Sequence, residues 1–116
     1  MMLRAASGLF LIAALGGLVM TAIRFFGKHN PPVWLAMAHG FFAGAGVTLL
    51  AYAALTVGVS RMAEVALVLF LVAAAGGIVM NLNYEWKRQL LPAPLLAWHA
   101  LLAIVAFVLL LDAAWA

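Results

Sequence analysis

Four long apolar stretches, parted by short polar loops, decide what this chain can fold into. They cover approximately 5–25, 33–57, 62–82 and 94–115. At about 1.5 Å of rise per residue, each can cross roughly 30 Å of hydrocarbon. Lipid offers a bare backbone no hydrogen-bond partner, and four spans are too few for a closed barrel, so every span is expected to be an α-helix. Of 116 residues, 70% are hydrophobic and only 8% charged, and the mean hydropathy is +1.24. A water-soluble domain of this size has too little interior to hide that much apolar surface. The expected fold class is therefore all-α: a polytopic membrane protein, a four-transmembrane-helix bundle forming a single domain over 1–116.

The connections are short, which makes consecutive helices antiparallel neighbours. The first, FGKHNPP, and the third, EWKRQLLPAP, both end in prolines suited to a helix start. The N-terminal run resembles a signal peptide, yet it recurs later in the chain and is read as a retained helix. Arg24, Lys28, Lys87 and Arg88, against Glu85, flank loops one and three; Arg4 and Arg61, against Glu64 and Asp112, flank the other side. The positive-inside rule then puts loops one and three in the cytoplasm and both termini opposite, as in a bacterial inner membrane. With six basic residues in all, most of them at span ends, the net positive charge reads as topology and not as a nucleic-acid surface. There is no cysteine, so neither disulfides nor thiolate ligands are available.

A shift of sixty positions lays one half of the chain on the other without a gap. LIAALGGLVM (Leu11–Met20) meets LVAAAGGIVM (Leu71–Met80), and Phe10/Phe70, Pro32/Pro92, His39/His99 and Ala43/Ala103 also coincide. Apolar matches come cheaply in such a composition, but paired glycines, a methionine three residues on and a histidine at one common offset do not. We read two repeats, 1–56 and 61–116. Each crosses twice, so the repeats are parallel and related by a pseudo-two-fold axis along the membrane normal.

That symmetry carries the functional reading. An ionisable side chain inside a span is costly and is a functional candidate by default; for a lone histidine the plain alternative is a neutral ring bonded to a neighbouring helix. Two histidines at one depth, on helices two and four, predict imidazoles that face each other across the bundle. His39 lies seven residues past Pro32, about 10 Å below the loop end of its helix, and Gly16, Gly17, Gly76 and Gly77 fall at a similar depth on helices one and three. Glycine offers backbone without a side chain beside a flat group, although close helix packing by small residues is the alternative. Imidazole is a usual ligand for haem iron, whereas zinc wants further ligands that the spans do not offer at this depth. The expected metal ligands are therefore His39 and His99 and the expected cofactor haem b, with Arg24 and Arg88 on the rim for its propionates. Met20 and Met80 are read as packing residues, and His29 as solvated.

The arrangement resembles the four-helix core of b-type cytochromes, in which helices two and four carry haem-ligating histidines and helices one and three carry glycines against the macrocycle. The match covers nearly the whole chain as architecture. It maps onto His39, His99, Gly16, Gly17, Gly76 and Gly77. Those cytochromes carry two histidines on each ligand helix and stack two haems. One histidine per helix leaves room here for one haem, near the basic side. The resemblance implies a single-haem redox subunit in lipid that relays electrons to or from a quinone, other membrane subunits or a second copy of itself. No catalytic triad or carboxylate pair is present, so an electron-transfer or accessory subunit is expected before a stand-alone enzyme. A cofactor-free or pigment-binding structural subunit of a larger complex is the alternative. A small multidrug-type transporter ranks last, because the only carboxylates in the spans, Glu64 and Asp112, sit near the far surface and the repeats are not inverted.

Overall fold

The computed structural model describes residues 1–116. Four antiparallel α-helices follow in order: α1 (Met2–Phe26), α2 (Val33–Thr56), α3 (Arg61–Met80) and α4 (Ala93–Trp115). Each is long and apolar enough to span a membrane. The expected ranges hold to within a few residues. The main difference is at the end of α3, where the α-helix stops at Met80 and the chain continues as a π-helical turn over Asn81–Glu85. Asn81 and Asn83 are poor helix formers whose side chains compete for backbone groups, and the wider turn is closed by Trp86 N–H on Asn81 O at 2.9 Å.

Local chemistry explains the other helix ends. Pro32 and Pro92 are the N-caps of α2 and α4; a fixed φ and a missing N–H cost nothing there. Ser60 caps α3, its hydroxyl accepting from Ala63 N–H at 3.3 Å, with Glu64 in the first turn. The turn into α3 needs the left-handed backbone of Gly58, φ 76°. Inside the spans Ser7, Thr21, Thr48 and Thr56 donate to the carbonyl four residues back, at 2.6–2.8 Å. Their hydroxyls are thus satisfied without water.

The helices sit at the corners of a square. Packing is closest within each repeat, α1 on α2 and α3 on α4, while the seams α1–α4 and α2–α3 are looser. The diagonals are therefore α1–α3 and α2–α4. Repeat-equivalent residues meet across both: Phe10 and Phe70 stack with centroids 3.8 Å apart and planes 2° from parallel, and His39 faces His99. This is what a two-fold axis along the bundle requires. The main core, formed by Ala6, Phe10, Leu50, Ala63, Ala66, Phe70, Ala106 and Leu110, fills the terminus end of the bundle. A smaller one of Met80, Leu91 and Leu96 lies near loop three. Large apolar side chains such as Leu18, Phe41, Ile78 and Trp98 point outward, as lipid as solvent allows.

Candidate functional site

The two histidines occupy the level between these cores. His39 Nδ1 lies 2.7 Å from the carbonyl of Ala13, and His99 Nδ1 lies 2.7 Å from that of Ala73. A carbonyl can only accept, so each Nδ1 carries the proton and the neutral ring keeps its lone pair on Nε2. Glycine makes this geometry accessible. A Cβ on Gly17 would stand 3.2 Å from His39 Cε1, and one on Gly77 3.1 Å from His99 Cε1. A Cβ on Gly16 would stand 3.8 Å from His39 Cβ, and one on Gly76 3.9 Å from His99 Nδ1. Each glycine pair lets its imidazole lie on the backbone of the preceding helix and reach the carbonyl there.

The rings meet across the axis with centroids 6.2 Å apart and planes at 69°. A metal–imidazole bond is about 2.0–2.1 Å long and the ring centroid lies roughly 1.1 Å beyond the nitrogen, so two imidazoles trans on one metal have centroids about 6.3 Å apart. The separation found is of that size. An Nδ1–H held by a backbone carbonyl is also the usual outer support of a metal-bound histidine. No group of three or more His, Cys, Asp or Glu gathers anywhere in the chain. A bare ion would thus find two protein ligands here, while a metal already held by four in-plane nitrogens needs only two.

Few residues of the surrounding layer are fully buried. Beyond Ala13 no residue of α1 is buried; none is buried before Gly46 on α2, between Ala73 and Met80 on α3, or between Leu96 and Ala106 on α4. Both histidines are half-buried, although they stand at the centre of the bundle. Gly16, Gly17, Gly76, Gly77, Ala43 and Ala103 supply little bulk at this level. The donor set and the glycine cradles fit a flat metal-bearing ring.

Of the other expected site residues, Arg24 stands at the rim and donates from Nε to Leu91 O at 2.8 Å. Arg88 lies in loop three with φ 56°, and its repeat equivalent Lys28 has φ 58°. His29 is exposed, its Nδ1 2.8 Å from Asn30 O. Met80 is buried in the small core beside Leu91 and Leu96, in keeping with a packing role.

Three features escape sequence reasoning. Glu85, counted as a loop charge, is buried with Oε1 unpartnered. Asn81, one turn below it, donates to Met37 Sδ at 3.7 Å and leaves Oδ1 buried without a partner. Asn30 ties the two loops together: its Nδ2 donates to Gln89 O at 2.6 Å, and its Oδ1 accepts from Leu91 N–H at 2.9 Å. The π-helical turn that carries Asn81 and Glu85 is a kind of distortion common at functional sites, and the asparagine pair was the only sequence signal for it.

No family model, curated protein or solved structure matches this chain.

Proposed function

We propose that this chain is an integral membrane, single-haem b-type cytochrome or redox subunit, with His39 and His99 as the axial ligands. The observation that carries the reading is the pair of imidazoles, each tied by Nδ1 to a backbone carbonyl, with centroids 6.2 Å apart across the axis. A bound haem supplies one-electron redox chemistry. The protein's part is to hold both imidazoles in one tautomer and one orientation, and to offer glycine backbone at their level. Arg24 stands on the rim above, where a cation offsets propionate charge, while Arg88 lies farther out in loop three. The site lies nearer the loop one and three end, so electrons pass most readily to a quinone or a partner subunit on that side. By the charge balance that side is the cytoplasm.

Haem content of the purified protein tests the reading. Substitution of either His39 or His99 by Ala should abolish stoichiometric haem. A colourless wild-type protein points instead to a cofactor-free scaffold, and full haem in both variants refutes the ligand assignment.

A further inference from the structure

A groove of about 500 Å³ opens between loops one and three, lined by Lys28, His29, Asn30, Glu85, Arg88 and Leu90 among others. Two of its basic residues stand on backbone of unusual conformation. Lys28 and Arg88 are repeat equivalents, and both adopt the left-handed conformation, φ 58° and 56°, that side chains other than Gly and Asn rarely accept. Such strain persists where surrounding structure enforces it and gathers at ligand-binding segments. The bonds from Asn30 to Gln89 and Leu91 hold the two loops together, and with them the two cations.

Glu85 lies at the bottom of this groove. It is 6% exposed and its Oε1 has no hydrogen-bond partner. The chain's one ion pair is Arg61–Glu64, at the opposite end of the bundle. A buried carboxyl group without a partner is costly, and a cationic hydrogen-bond donor at the bottom of the groove would hold it as the carboxylate. At its mouth Lys28 and Arg88 ask for an anion. The groove stands at the end of the spans, at headgroup level, and Pro31, Pro32, Val33 and Leu90 give it apolar lining.

We infer that this groove binds the headgroup of an aminophospholipid. The phosphodiester lies between Lys28 and Arg88, and the primary ammonium donates to Glu85. The pairing follows from charge order alone: cations outside and a carboxylate inside match a headgroup whose phosphate precedes its ammonium. A trimethylated ammonium has no N–H to give Glu85, and a headgroup ending in hydroxyls brings no cation to it. The assignment uses Arg88 for the lipid and leaves haem carboxylates to Arg24. It does not depend on haem being bound.

Native mass spectrometry of the full chain in detergent tests this, with phosphatidylethanolamine, phosphatidylcholine and phosphatidylglycerol of identical acyl chains as probes. The wild-type protein should retain phosphatidylethanolamine about fivefold over phosphatidylcholine, the ratio that about 1 kcal/mol gives. Glu85→Gln should abolish that preference. Lys28→Asn with Arg88→Asn, which tolerate the left-handed backbone, should weaken retention of both lipids. Free phosphoethanolamine at matched concentration should compete poorly, since it lacks the glycerol and chains that meet the apolar lining. Equal retention of phosphatidylethanolamine and phosphatidylcholine by the wild-type protein overturns the inference, as does stronger retention of phosphatidylglycerol. So does free phosphoethanolamine displacing the lipid at equal concentration, or a folded Glu85→Gln variant that keeps the preference.

Discussion

His39 and His99 face each other across the bundle axis with ring centroids 6.2 Å apart, each held at 2.7 Å by the carbonyl of an alanine twenty-six residues before it. The two halves of the chain thus make the same local structure twice, and the symmetry turns one histidine anchored to a neighbouring helix into a facing pair. The distances around this pair also set what substitution should do.

Gly17 and Gly77 are the tightest points. A methyl group at either position meets an imidazole carbon at 3.2 or 3.1 Å, so the ring must shift and its bond to Ala13 or Ala73 lengthens. Gly17→Ala and Gly77→Ala should each lower stability by about 1–3 kcal/mol, as small-to-large changes in packed sites do. Gly8→Ala, where a Cβ meets nothing within 4 Å, should be neutral or slightly stabilising. Thermal unfolding in detergent checks all three. A Gly17→Ala protein as stable as Gly8→Ala would show that the close approach is not needed.

The stacked Phe10–Phe70 pair defines a second clash. A Cβ on Gly46 would stand 2.9 Å from two carbons of the Phe10 ring, within the main core. Gly46→Ala should cost about 1–3 kcal/mol. Phe10→Leu should recover part of that loss, because the two sites touch and their effects are not additive. A double-mutant cycle by thermal unfolding gives the coupling; strictly additive losses would contradict the contact.

Asn30 is the tie between loops one and three. Asn30→Ala removes two hydrogen bonds, to Gln89 O and from Leu91 N–H, and should cost about 1–2 kcal/mol. The effect should be local. Proteolysis between Lys87 and Leu91 should quicken, while the loop between α2 and α3 keeps its wild-type rate. Equal acceleration at both loops would mean a global loss of stability.

Much of this architecture is legible in the chain because membrane solvent leaves few choices. The four apolar runs fix the helices, and the sixty-residue repeat fixes which residues face each other. Even the shared level of the glycines and histidines follows from a constant rise per residue. What stays hidden depends on single side chains at the rim. Glu85 sits among Lys87 and Arg88 in sequence and reads as one more loop charge; only the π-helical turn over Asn81–Glu85 turns it inward. The repeat itself misleads there, since the equivalent stretch in α1, with Thr21 where α3 has Asn81, stays α-helical. Asn30 has no counterpart in the second repeat, where Leu90 takes its place, so the bridge between the loops leaves no trace in the symmetry. The left-handed turns at Lys28 and Arg88 are equally silent, because neither residue type announces that conformation.

The central claim is that two imidazoles, one from each repeat, together ligate one haem iron. The electronic absorption and electron paramagnetic resonance spectra of the oxidised, purified protein test it most directly. The account predicts six-coordinate, low-spin ferric haem in the wild-type protein, lost in both His39→Ala and His99→Ala. A high-spin, five-coordinate spectrum, or a low-spin spectrum that survives either substitution, would contradict it.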